Sequence, residues 1–342
     1  MYRPLHSSKF ISVSFVLFCI VLICLASCQS NPESHDTITF MAGYKPQANL
    51  PFVAAYVAQE NKYFEQQGLR VDLRHSSGQH TKLLMSGEVQ VTTLDASALL
   101  KFATTPGLPI MAVALFGHKG QQAFASLKVS QIKSPSDWEG KVFGYKISLP
   151  PEYLGIIDVA GVNRSEIKEV QVGFDPRILI EGNVDILAIF KSNEPDILNR
   201  MGFETSVIDP SDFGIPTLGL TYVTTTEFVK QQPELVKRFL KATMKGLNYA
   251  IENPEATLAI IEKYAPKEDK DHMRFMMMTE IADATSATSE SLGYGSMTHD
   301  QWDRLHNFLL LHGAIPHNID VAEVYEDKFI TEIYQRGVLI WP

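Results

Sequence analysis

Cysteine is all but missing from this 342-residue chain: the three present, Cys19, Cys24 and Cys28, all fall within the first 28 positions. The remaining chain therefore has no thiol for a disulfide, a zinc thiolate or a cysteine nucleophile. Basic residues are also scarce, 30 against 39 acidic, for a formal charge of −9. That balance opposes binding to a phosphate backbone, so no nucleic-acid partner is expected. No Gly-rich phosphate loop, Gly-x-Ser-x-Gly elbow or His-Glu-x-x-His occurs. His75, His80, His299, His306 and His312 lack metal-ligand spacing, so they read as surface or internally satisfied histidines, with no metal site.

What is present begins with a single long apolar run, FISVSFVLFCIVLICLA at residues 10–26, preceded by Arg3 and Lys9 and closed by Leu25-Ala26-Ser27-Cys28. Charge, apolar stretch and small residues in that order form a secretion signal over residues 1–27. A membrane-spanning anchor is the alternative, at the short edge of what crosses a bilayer. The Leu-Ala-Ser-Cys ending resembles the bacterial lipobox, which makes Cys28 the expected lipidation site and the protein an extracytoplasmic, membrane-anchored lipoprotein. Loss of residues 1–27 would leave a formal charge of −11, because Arg3 and Lys9 go with them. Residues 28–37, polar with one proline, read as a tether.

From residue 38 short strands and helices alternate: ITFMA, a helix over 52–67, RVDLR, a helix over 78–87, VQVTTL, ASALLKFA and PIMAVALF. Such alternation implies a parallel sheet with helices on its faces. After the polar stretch SQIKSPSDWEG a second series follows, with KVFGYK, KEVQVGF and DILAIF as strands. The last third reads as helices over 233–253, 254–264, 269–284, 298–311 and 321–335 that pack back on the first unit. The expected organisation is α/β with two lobes: residues 38–128 as lobe 1, 129–222 as lobe 2, and 223–342 returning to lobe 1. Leu-x-x-Gly-x-Val occurs at Leu84 to Val89 and again at Leu179 to Val184, and each following strand leads to an acid, Asp95 or Glu194.

Ligands of open α/β sheets sit beyond the carboxyl ends of the strands, and two facing lobes make a cleft. Residues near those ends are the candidates: Tyr44, Phe52, Phe116, Tyr145, Phe174, Phe190 and Tyr222 for stacking, Asp95 and Glu194 as hydrogen-bond acceptors, with Asn49, Ser97, Ser148 and Asn193 beside them. Each has a structural alternative. Asp95, Ser192 or Asn193 can cap a helix, Glu194 complements a helix start followed by Pro195, and Phe116, Phe174, Phe190 and Tyr222 can be core. Ser148, in ISLPPEYLG, precedes a proline-started helix whose free N–H groups can hold an oxygen of a ligand.

Three stretches carry a family resemblance. PFVAAYVAQENKYFEQQGL (51–69) resembles the opening helix of the SsuA/ThiY-like solute-binding proteins for sulfonates, taurine and thiamine-pyrimidine precursors. PELVKRFLKATMKGLNYAIENPE (233–255) is similar to their C-terminal helix pair, and GNVDILAIFKSNEP (182–195) resembles the Asn-Glu-Pro segment of the pyrimidine-binding branch. The likeness spans about residues 38–340. It implies a periplasmic-binding-protein type II fold, a small-molecule ligand, an ABC permease as partner, a monomer, and binding without chemistry or cofactor. Carboxylates and aromatics suit a planar heteroaromatic such as a thiamine-pyrimidine precursor; a sulfonate, taurine, nitrate or riboflavin is the alternative. The branch's Trp-x-Pro-Asn is here Tyr44-Lys45-Pro46-Gln47, which leaves the identity of the ring open. A related eukaryotic branch synthesises the pyrimidine with iron and a cysteine-rich motif, which this chain lacks.

Overall fold

The computed structural model describes residues 1–2, 35–105 and 107–342. The expected signal segment, Cys28 and most of the tether lie outside the described residues. No helix among the described residues is long and apolar enough to cross a membrane.

Residues 36–342 form one unit built on two five-stranded mixed sheets. The first contains β1 (Asp36–Ala42), β2 (Leu69–His75), β3 (Val91–Asp95), β4 (Ile110–Leu115) and β10 (Leu220–Thr225), in the order β2-β1-β3-β10-β4. β1 runs parallel to β2 and β3, while β10 enters antiparallel between β3 and β4. The second contains β5 (Gln122–Leu127), β6 (Val142–Tyr145), β7 (Lys168–Gln171), β8 (Ile186–Phe190) and β9 (Thr205–Ile208), in the order β7-β6-β8-β5-β9. Here β6 is parallel to β7 and β8, and β5 is antiparallel to β8 and β9.

Strand membership moves the lobe boundaries from those the sequence implies. QAFASL of β5 lies outside the alternating pattern of the sequence and belongs to the second sheet, so the first crossing lies between Leu115 and Gln122 rather than after residue 128. The return lies between Ile208 and Leu220, because β10 is already in the first sheet.

The helix expected over 52–67 is two, Leu50–Glu60 and Tyr63–Gln66, broken where Lys62 adopts φ 59° in the left-handed region. A helix cannot run through that conformation in an L-residue. The last expected helix, 321–335, is reduced to a single 3₁₀ turn at Val321–Glu323 and the helix Lys328–Ile333.

The segment Pro233–Glu252 is one long helix packed against Leu50–Glu60 over the first sheet. The contact is close at Gly246: a Cβ there would collide with the carbonyl oxygen of Ala54 and stand 3.0 Å from the amide of Ala58. A separate helix, His299–Leu311, does not pack on the first lobe alone. Its Phe308 meets Gly155 of the second lobe so closely that a Cβ on Gly155 would lie 2.6 Å from the ring. This helix and the stacked pair Phe143–Tyr153, ring centres 4.0 Å apart, belong to an apolar core that continues from one lobe into the other.

Candidate functional site

Groups at parallel strand ends interact across the lobes: Asp95, which ends β3, acts on Glu152, and Ser192, two residues beyond β8, donates to Glu280. Asp95, at the end of β3, caps the helix Ala96–Ala103 by accepting from Ser97 N at 2.9 Å and Ala98 N at 3.3 Å. Glu152, in the first turn of Pro151–Ala160 on the other lobe, is buried, and its carboxyl accepts from its own backbone amide. Burial raises the Asp95 carboxyl to about 6 despite the two amides that favour its charged form. Glu152 is raised to about 7, first by burial and then by the charge of Asp95, with Lys101 opposing. Two acids from facing lobes thus share one neighbourhood with too little positive charge for both.

Tyr44 follows β1 and is 57 % exposed, so its ring face is free. Its backbone is held from behind: the carbonyl accepts from Nδ1 of His75 at 3.1 Å, while Nε2 of His75 meets the Tyr56 hydroxyl at 3.1 Å. A carbonyl can only accept, so the proton sits on Nδ1 and Tyr56 donates to Nε2. Burial holds the pKa of His75 down, which keeps the ring in that neutral form.

On the second lobe Glu194 is buried, as no ordinary surface cap would be. Its Oε2 accepts the amide of Phe190 at 2.8 Å, and its Oε1 pairs with Lys146, the residue just after β6. The Lys146 ammonium lies over two rings, 5.0 Å from the Phe190 centroid and 5.7 Å from that of Phe174. Both rings are exposed, at 46 % and 65 %.

The helix Lys270–Ala284 ties this segment to the first lobe. Glu280 accepts from Leu50 N at 2.7 Å, Asn49 Nδ2 at 2.6 Å and Ser192 Oγ at 3.3 Å. Burial raises it to about 7. Two turns earlier on the same helix, His272 contacts Asp196 at 2.7 Å and the side-chain oxygen of Asn193 at 3.0 Å. Asn193 therefore stands at the N-cap of Glu194–Arg200 without capping it through its side chain.

The structure divides the sequence candidates. Tyr44, Phe174, Phe190, Asp95 and Glu194 stand at the carboxyl edges. Phe52 and Phe116 are buried in the first core, and Tyr222 is fully buried with its hydroxyl donating to Pro51 O at 2.5 Å; these three offer no face to a ligand. Phe116 and Tyr222 instead pack edge to face, centroids 4.5 Å apart. Asn49 is spent on Glu280 and Gln47. Tyr145 is half-buried against Phe143, Ser97 contributes its backbone to Asp95, and Ser148 is exposed, with Pro150 and not Ser148 at the cap of the following helix.

Lys146, Glu152, His272 and Glu280 are not among the sequence candidates, while His75 is the internally satisfied histidine the sequence implies. A lysine directly after a strand and an acid in a Pro-Pro-Glu helix start are visible local signals. The pairing of residues 272 and 280 with residues 192–196 is not. Among the described residues no three His, Cys, Asp or Glu side chains gather as a metal-holding group.

Two mixed sheets joined by two crossings define a two-lobed protein of the periplasmic-binding-protein type II fold. The periplasmic aliphatic sulphonate binding protein SsuA of Escherichia coli has this architecture with a TM-score of 0.65 at 12 % identity, over 86 % of this chain and 93 % of that one. The NMT1/THI5 like family matches residues 49–257, more than half of the chain, and the chain belongs to that family. Its relatives include the formylaminopyrimidine-binding protein of Halalkalibacterium halodurans, 24 % identical over 93 % of this chain and 98 % of the relative. The riboflavin-binding protein RibY of Chloroflexus aurantiacus is 21 % identical over 94 % and 97 %.

Proposed function

We propose that the protein is an extracytoplasmic solute receptor, held to a membrane through a lipid on Cys28, that closes its lobes on a planar heteroaromatic and passes it to an ABC permease. The reading is one of binding without chemical turnover, by a monomer. The observation that carries it is the exposure of Phe174 and Phe190 around the Lys146–Glu194 pair, with Tyr44 exposed beyond a parallel strand of the other lobe. Large aromatics left in water next to a buried carboxylate fit a ring that stacks on them and donates to the acid. Relatives named for a formylaminopyrimidine and for riboflavin, both planar nitrogen heterocycles, support that class. Lys146 and Lys191, both largely removed from water near these strand ends, are already paired, the first with Glu194 and the second with Asp209 and Asp283, which disfavours an alkanesulfonate or taurine.

The test is thermal unfolding of the purified protein with aminopyrimidines, riboflavin, taurine, nitrate and polyamines. A ligand at about 100 times its Kd stabilises by roughly 2.7 kcal/mol. A shift with taurine or nitrate and none with the heterocycles would reject the proposed ligand class. Consumption of a bound heterocycle would reject binding without turnover.

A further inference from the structure

Three adjacent strand ends of the second sheet converge on one basic group. In the order β7-β6-β8, the central strand delivers Lys146, the loop after β7 delivers Phe174, and β8 ends in Phe190. The side chains of Lys146 and Glu194 are 12 % and 3 % exposed, so this ion pair is buried while the flanking rings are open. An ammonium offers three donors and no acceptor, and an ionised carboxylate offers only acceptors. The protein partner of the Lys146 ammonium among hydrogen-bond acceptors is Glu194 Oε1, which leaves donor capacity for a bound molecule.

A buried carboxylate between two aromatic rings would by itself favour a cation, since both the acid and the ring faces attract positive charge. Lys146 already fills that position. A ring bearing a fixed positive charge would meet the ammonium where little water is present to screen the repulsion. An uncharged ring meets no such opposition and finds a donor and an acceptor side by side.

We infer that Lys146 is the specificity-determining partner of Glu194, and that together they select uncharged nitrogen heterocycles whose edge sets an acceptor beside an N–H. Imides, lactams and aminopyrimidines have such an edge; ring cations are rejected. This rests on the receptor reading above and narrows its ligand class by charge.

The experiment is calorimetric titration of the full-length protein with three probes: riboflavin, 4-amino-2-methylpyrimidine, and the N-methylated cation of that pyrimidine. The protein is expected to bind riboflavin or the neutral pyrimidine at least tenfold more tightly than the cation. Lys146→Met, which keeps the stem and removes the charge, should weaken the neutral probe at least tenfold and reduce the discrimination to threefold or less. Lys146→Arg should retain discrimination.

The readout is the ratio of affinities, because a merely destabilised fold weakens all probes in proportion. If Lys146→Met does not fold, the pair Lys146→Met with Glu194→Gln takes its place, with the same loss of discrimination expected. An unchanged ratio in a protein that does bind heterocycles overturns the role of Lys146 and leaves the receptor reading standing. Binding of none of the probes overturns both.

Discussion

The ammonium of Lys191, on the second lobe, lies 2.9 Å from the carboxylate of Asp283, on the first, and both side chains are almost completely removed from water. Asp209 takes the same ammonium at 2.5 Å, and Gln121, in the first crossing, donates to Asp283 at 2.6 Å. A buried cation thus joins both lobes beside the connection about which they would move. Removing one partner of a buried pair leaves uncompensated charge and costs about 3–5 kcal/mol. Lys191→Met is expected to lose that much stability in urea titration, and Asp283→Asn added to it to recover part of the loss.

The facing acids set the response to pH. Asp95 near 6 and Glu152 near 7 hold protons in the folded protein that an ordinary carboxyl releases near pH 4. Both are raised, so the stability they contribute is fully present below about pH 4 and lost as pH rises through 6 and 7. Each such proton gives a slope of at most about 1.4 kcal/mol per pH unit. Half-buried His75, His80 and His118, whose pKa values are held down, oppose this up to about pH 6.5, so unfolding free energies should decline from about pH 6.5 to pH 8, and Glu152→Gln, which cannot ionise, should flatten the decline. Glu280, also near 7, adds to the same slope and would preserve part of it in that variant.

Gly246 separates packing from helix propensity. It lies within the helix Pro233–Glu252, where glycine is normally about 1 kcal/mol worse than alanine. Its open Cβ position is occupied by the backbone of Ala54 and Ala58 on the opposing helix, which cannot retreat like a side chain. Gly246→Ala is therefore expected to destabilise by about 1–3 kcal/mol despite the better propensity. Thermal denaturation would show it as a lower Tm.

Alternating short apolar runs and helices made the two sheets legible, because a parallel strand covered on both faces is apolar throughout. β5 escaped because its six residues acquire their meaning from pairing with β8 and β9, 60 or more residues away. The aromatic candidates show the same limit at the site. Phe116 follows one apolar strand and Phe190 ends another, yet Phe116 is covered by Tyr222 from a strand that returns about a hundred residues later, while Phe190 stays 46 % exposed under the Lys146 ammonium. Glu194 was legible as an acid at a helix start. Its pairing with Lys146, 48 residues earlier, and the bonds that Glu280 and His272 make to Ser192, Asn193 and Asp196 around it have no sign in the sequence next to Glu194.

Exposed and buried aromatics should fail in opposite ways. Phe174 and Phe190 are exposed and touch the rest of the protein mainly through the Lys146 ammonium, so replacing either with alanine is expected to cost no more than about 1 kcal/mol of stability. Either change should cost roughly 1 kcal/mol or more of heterocycle binding if the ring stacks on that face. Phe116→Ala removes a core ring and should cost about 3–5 kcal/mol of stability, with little change in the affinity of the fraction that remains folded. Paired urea and calorimetric titrations of the three variants check this. Lost affinity in Phe116→Ala with intact binding in Phe174→Ala and Phe190→Ala would move the ligand away from the strand ends of the second lobe.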